Sequence, residues 1–218
     1  MSDTTLTPQK TNQVRRTPSQ ERSRSRVDAI LSSTRELILE KGSARLKIHE
    51  LAERAGVTPS SIYQYFPNKR AIIHALDKSY IDATNELLSS RLEGINSLEQ
   101  GFQVLEDLLI DYYEWYKSEP VITDIWYSMA TDKTKNDMEV QSSRESAAII
   151  VEALSPFVDA EDLDDLKSYA MLLAHLVGST IRLCAQSEED EAMKLINAFK
   201  TLIRSFRLSL VYKDIWNS

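Results

Sequence analysis

The chain is predicted to be all-α, with about nine helices, and three observations carry that reading. Backbone punctuation is sparse: 5 Gly and 6 Pro in 218 residues, with long stretches between them rich in Leu, Ile, Glu, Lys and Ala. Apolar residues recur three and four apart through most of the chain, which gathers them on one face of a helix. No stretch alternates with the period of two that a half-buried strand requires. A chain of this length buries a substantial core, as one large domain or two small ones.

Taken in order, residues 1–18 are polar with almost nothing to bury, and they read as a disordered basic arm. Its charge runs from Arg15 and Arg16 into Arg22, Arg24 and Arg26, which leaves two roles open, a solvated tail or added phosphate contacts. The first helix is expected over Ser23 to Glu40, with Val27, Ile30, Leu31, Thr34, Leu37 and Ile38 on one face. It stops at Lys41-Gly42, a cationic last turn followed by a residue that tolerates the left-handed conformation. A short helix follows over Lys47 to Ala55, and Gly56 supplies a tight turn. Thr58 caps the third helix with Pro59 in its first position, where a missing N–H is harmless; this helix ends near Pro67. The fourth runs from Asn68 to Arg91, with Ile72, Leu76 and Tyr80 in a row. Beyond Gly94 the expected helices are Leu98 to Ser118, Val121 to Ala130, Lys133 to Leu154, Ala160 to Gln186 and Glu188 to Tyr212.

Net charge is −7, yet residues 1–80 carry 14 Lys/Arg against 8 Asp/Glu while residues 81–218 carry 12 against 25. A basic front joined to an acidic body fits a chain that meets a polyanion with one part only; unevenly solvated faces produce the same asymmetry by chance. Within the front, Ile48 to Ile73 reads "IHELAERAGVTPSSIYQYFPNKRAII". Two short helices joined by a Gly-containing turn have the spacing of a helix-turn-helix. Ile48, Leu51, Ala52, Val57 and Ile62 hold the pair against the first helix. The third helix then presents Thr58, Ser60, Ser61, Gln64 and Tyr65, short or polar groups suited to a major groove.

The same stretch is similar to the N-terminal signature of TetR-family regulators. It shows Leu51-Ala52, Ala55-Gly56-Val57, Ile62-Tyr63, Tyr65-Phe66 and Asn68-Lys69 in the family's order, over roughly Val27 to Leu76. The resemblance implies a helix-turn-helix domain over 19–67 and an effector-binding and dimerisation domain over 68–218. It places DNA contacts on Thr58, Pro59, Ser60, Ser61, Tyr63, Tyr65 and Lys69, with Tyr63 and Lys69 on phosphates and Ser60, Ser61 and Tyr65 on base edges. Lys47 stands where the family commonly has Ser or Thr; it and His49 are further contact candidates, with Arg45 beside them. Core packing is the competing role for Tyr63 and, more strongly, for Phe66.

The segment from Phe102 to Met138 is rich in aromatic residues, and a small-molecule pocket in a helical domain is mostly apolar with a few polar groups. Its expected walls are Tyr112, Trp115, Trp126, Tyr127 and Met129, with Asp111 and His175, and secondarily Asp107 and Cys184, as polar groups; plain core packing is the alternative. Small residues recur at Ala170, Ala174 and Gly178, and Phe199, Ile203 and Phe206 lie among two apolar stripes of the last helix. These six residues are the expected homodimer interface, a pairing the resemblance also implies.

The function expected from these features is a DNA-binding transcriptional regulator, a repressor released from double-stranded operator DNA by an apolar or aromatic small-molecule effector. A ligand-responsive activator, a helical binding module and an enzyme are the alternatives. No phosphate-binding Gly loop, paired-Cys or His-Glu-x-x-His metal site, or Gly-x-Ser-x-Gly elbow occurs, so no catalytic residue, metal or cofactor is expected. The single Cys184, the lack of a secretory leader and the shortness of the Met171 to Val177 apolar run fit a cytoplasmic protein without a membrane partner.

Overall fold

A computed structural model describes residues 18–129 and 133–211, with side chains over 22–129 and 135–211. Nine α-helices occur among the described residues, and no strand. They are α1 (Pro18–Lys41), α2 (Ile48–Arg54), α3 (Pro59–Tyr65), α4 (Lys69–Leu92), α5 (Leu98–Ser118), α6 (Pro120–Ser128), α7 (Lys133–Leu154), α8 (Leu163–Ala185) and α9 (Glu189–Val211). Short 3-10 turns occupy Ser43–Arg45, Ser155–Phe157 and Ala160–Asp162.

Local chemistry sets most boundaries. Gly42 and Gly56 adopt φ of 81° and 64°, the left-handed backbone that a side chain resists, and each lies just beyond a helix end. The Thr58, Asn68 and Ser97 side chains accept from the backbone N–H three residues on, capping α3, α4 and α5. Lys47 precedes α2 with no side-chain cap. Several starts differ from the sequence expectation, most of them by one residue; α8 begins only at Leu163, after a 3-10 turn over Ala160–Asp162. Helix α1 already begins at Pro18, five residues before Ser23, so Arg22, Arg24 and Arg26 stand exposed on a helix. Helix α6 begins at Pro120, which takes the first helical position. The rest of the expected arm, with Arg15 and Arg16, lies outside the described residues.

The helices enclose two cores. One gathers Ile30, Leu37, Leu51, Ile62 and Phe66 from α1–α3 with Ile72, Ile73 and Leu76 of α4 and Val121, Ile125 and Met129 at α6. The other fills the space between α4, α5, α7, α8 and α9, around Phe102, Leu109, Tyr113, Leu154, Leu166 and Ile196. Helix α6 belongs to both, since Ile122 lies in the second core and Trp126 packs against each. The first core therefore draws on residues well beyond Pro67. Segment 160–185 is by length and composition apolar enough to cross a membrane, which a search for one uninterrupted apolar run overlooks. In the fold it provides α8, packed against α7, α9 and α5.

Candidate DNA interface and ligand cavity

The helix-turn-helix stands clear of its core on one side. Lys47, His49, Thr58, Ser60, Tyr63 and Gln64 are exposed, with Pro59 and Ser61 half-buried. Ile62 and Phe66 point the other way into the core. Tyr63, 53% exposed, is thus free for a partner, and core packing does not claim it. Thr58 Oγ1 accepts from the Ser61 N–H at 3.2 Å and lies 3.0 Å from Ser60 Oγ, so its hydroxyl shapes the start of α3 as well as facing outward. Two expected contacts are turned inward. The Tyr65 phenol leans on Ser23 and Arg26 of α1, which together hold its pKa below the ordinary value, Ser23 most strongly. Lys69 Nζ donates to the carbonyls of Ser43 and Ala44 at 3.4 and 3.3 Å, leaving the ammonium half-buried at the start of α4. Arg45 is exposed beside them.

A cavity of about 210 Å³ opens between α4, α5, α6, α7 and α8. Tyr112, Trp115, Trp126 and His175 line it, four of the seven residues expected there. The other three lie elsewhere. Asp111 pairs with Arg91 at 2.6 Å on the surface, because it sits one position round α5 from the inward face. Met129 fills the first core, and Tyr127 is 64% exposed. Asp107 hydrogen-bonds Gln103 outside, and Cys184 is buried against the Ala192 carbonyl.

Sequence reading missed the charged lining. Asp77, Glu139 and Arg182 face the cavity with Ser142, Ser143 and Ser146. The Arg182 guanidinium lies over the Trp126 ring, 3.7 Å from its centroid, and donates to Glu139 at 3.3 Å. Burial pushes the Asp77 carboxyl above its usual range, against the smaller opposing pull of Lys135 and His74. A signal was present: Asp77, Tyr80, Ile81, Thr84 and Leu88 form one helical stripe along α4, and Asp77 is the lone charge on it.

The cavity also touches the joint between the cores. Tyr80 lines it and meets Trp115 edge to face at 5.8 Å. Its hydroxyl lies beside Glu119 and Arg35 without a hydrogen-bond partner, and burial followed by the Glu119 charge pushes its pKa up to about 12. Arg35 of α1 donates to Glu119 Oε2, its Nε at 2.8 Å. The Ser43 N–H donates to Asp124 Oδ1 of α6 at 2.9 Å. Two polar links thus tie the helix-turn-helix domain to the segment that walls the cavity.

A family model described as the tetracyclin repressor-like, C-terminal domain matches residues 99–208, and one described as bacterial regulatory proteins, tetR family, matches residues 30–76. The chain belongs to the TetR family. Members are DNA-binding transcriptional regulators, often ligand-responsive. One relative is the uncharacterized HTH-type transcriptional regulator YvdT of Bacillus subtilis, 31% identical over 84 residues, covering 38% of this chain and 41% of YvdT. The chain matches less than half the length of that curated relative. Among solved structures, a TetR-family transcriptional regulator from Streptomyces coelicolor superposes with a TM-score of 0.64 at 21% identity, over 85% of this chain and 99% of that one. FadR from Bacillus subtilis, solved in complex with stearoyl-CoA, superposes with a TM-score of 0.53 at 16% identity, over 85% and 97%. These likenesses establish the TetR fold.

Within that fold three of the six expected interface residues are buried in their own chain and three are half-buried. Ala170, Phe199 and Ile203 are buried, Ala174 and Gly178 line the cavity, and Phe206 stacks on Tyr169 at 4.7 Å. The opposite face of α8 carries Leu172 and Leu183, 50% and 53% exposed, three helical turns apart, and α9 adds Leu208 at 42%.

Proposed function

We propose that the protein is a cytoplasmic, homodimeric repressor that binds operator DNA through α3 and is released when an apolar or aromatic small molecule occupies the cavity. The observation that carries this reading is the placement of α6. One nine-residue helix contributes side chains to the core that seats the reading head and to the core that holds the cavity. A ligand that displaces Trp126 or Tyr80 therefore works on the same helix, and on the same Glu119–Arg35 link, that fix the orientation of α1–α3. Differential affinity for the two orientations is the whole of the driving force, and a coupling of about 1–3 kcal/mol is typical.

Thr58, Ser60, Tyr63, Lys47 and His49 are the contacts most available to a duplex, with Pro59 and Ser61 close to the backbone; Tyr65 and Lys69 reach it only by leaving their present partners. For the dimer, the outward stripe of Leu172, Leu183 and Leu208 replaces the inward set, and twofold pairing would set two copies of α3 about 34–36 Å apart, one turn of DNA. The stearoyl-CoA held by FadR favours a ligand with a large apolar part. The test is selection of bound fragments from the source genome with purified protein, followed by operator titration against a compound library. A monomer in solution, or indifference to every fragment including the chain's own promoter, refutes the repressor. A compound that tightens operator binding identifies an activator or co-repressor mechanism.

A further inference from the structure

We infer that the cavity selects ligands carrying a protonated amine on an aromatic or apolar body, with Asp77 as the residue that receives the ammonium. This rests on the cavity being the effector site. Asp77 is 6% exposed and faces the cavity from α4, and burial outweighs the pull of Lys135 and His74 on its carboxyl. A buried carboxylate so placed is costly unless a donor reaches it. Apart from the Tyr80 hydroxyl, which lies unpartnered in the same wall, several other polar groups there are already engaged. Arg182 donates to Glu139 and, at 2.8 Å, to Ser179; His175 Nδ1 lies 3.1 Å from Ser143 Oγ; Ser146 donates to Asn85 at 2.6 Å; and the Tyr112 hydroxyl donates to the Thr84 carbonyl at 3.1 Å.

Nor does a neighbouring cation neutralise Asp77 in full. Lys135 donates to the Trp126 carbonyl at 3.3 Å and lies over the Trp126 ring at 4.9 Å. Its own burial lowers its pKa, so the charge it offers is itself held against a desolvation penalty. Burial accordingly still dominates at Asp77. A ligand carboxylate finds no matching seat, because the Arg182 guanidinium is committed to Glu139, Ser179 and the Trp126 face. An ammonium finds one in a cavity that Tyr80, Tyr112, Trp115 and Tyr116 also line, aromatic residues whose ring faces favour a cation. Asp77 also adjoins Leu76, which is buried in the first core, so a ligand bound there pulls on the helix that seats the reading head.

The experiment uses the full-length protein and three probes sharing one bicyclic ring: 1-naphthylmethylamine, 1-naphthylmethanol and 1-naphthoic acid. Binding is read by calorimetry and by quenching of the fluorescence of Trp115 and Trp126, which line the cavity. The amine should bind at least about tenfold tighter than the alcohol, equivalent to about 1.4 kcal/mol, and Asp77→Asn should erase that preference while leaving the alcohol's affinity within about twofold. Equal affinity of amine and alcohol in the wild type, a preference that survives Asp77→Asn, or tighter binding of the acid overturns the assignment while leaving the cavity as the effector site. Failure of all three probes to bind or quench overturns both readings together. The wild-type comparison stands even where the variant folds poorly, and its melting curve reports that.

Discussion

Breaking the ion pair between Arg35 and Glu119 should loosen the helix-turn-helix domain from the cavity domain, and the cost follows from geometry. Glu119 is 7% exposed, with one carboxylate oxygen taking both Arg35 donors and the other unpartnered. The Arg35 side chain is 43% exposed, so solvent screens its end of the pair and the value falls below that of a sealed one. Removing Arg35 leaves a buried carboxylate without its counter-ion, whereas Glu119→Gln removes the charge and keeps a hydrogen-bond acceptor. On this asymmetry Arg35→Met should cost about 2 kcal/mol and Glu119→Gln about 1 kcal/mol, in the range for hydrogen bonds to charged groups. The double variant should lose less than the sum by roughly 1 kcal/mol, the signature of direct coupling. For a chain of this size, about 2–4 °C per kcal/mol makes the Arg35→Met melting temperature fall by roughly 4–8 °C. Urea denaturation of the four proteins closes the cycle. Additivity within about 0.5 kcal/mol would show that the two side chains do not support each other and would remove this link from the coupling route.

Three further outcomes follow from separate parts of the molecule. A methyl group at Gly101 would meet Leu154 Cδ2 at 2.2 Å, with Leu154 fully buried; Gly101→Ala should therefore destabilise by about 1–3 kcal/mol despite alanine's better helix propensity, and an unchanged or raised melting temperature would show that Leu154 yields freely. Because burial raises the folded-state pKa of Asp77, the folded chain holds that proton more tightly than the unfolded one, so its contribution is full at acid pH and is lost as pH rises through the carboxylate range; Asp77→Asn should match the wild type in acid and exceed it near neutrality, and a constant difference across a pH series of melts would refute the desolvation argument. Leu172→Arg with Leu183→Arg should give monomers by analytical ultracentrifugation, whereas Gly178→Trp should remain dimeric and lose ligand binding, since a side chain there meets Arg182 at the cavity wall.

Helix count and most boundaries were legible because they are local. A Thr58 cap, a Pro59 at the next position and a left-handed Gly56 decide themselves within four residues. The start of α1 was not, because the residues from Pro18 to Arg22 are polar and offer no apolar stripe to count. Site residues divide in the same way. The exposed face of α3 follows from its period once the core positions are fixed, and Tyr112, Trp115 and Trp126 follow from sheer aromatic density. Asp77 required knowing that its α4 stripe faces a cavity, which depends on α5, α7 and α8 standing opposite.

The two faces of α8 bear most directly on how the chain would pair. Small residues at Ala170, Ala174 and Gly178 do mark one side of α8 where neighbours come close, but spacing alone does not say whose neighbour it is. The fold assigns that side to the chain's own interior and the cavity wall, and this leaves the apolar surplus of α8 unexplained by any contact within the chain. A helix apolar enough to pass for a membrane span has more such surface than one core uses, and Leu172 and Leu183 hold the remainder on the far side. Exposed apolar stripes of this kind mark surfaces that a partner covers, and a second α8 related by a twofold axis would bring the same stripe to meet itself. On this reading the inward face of α8 senses the ligand while the outward face holds the partner, so a ligand-driven rotation of one helix would be felt at both.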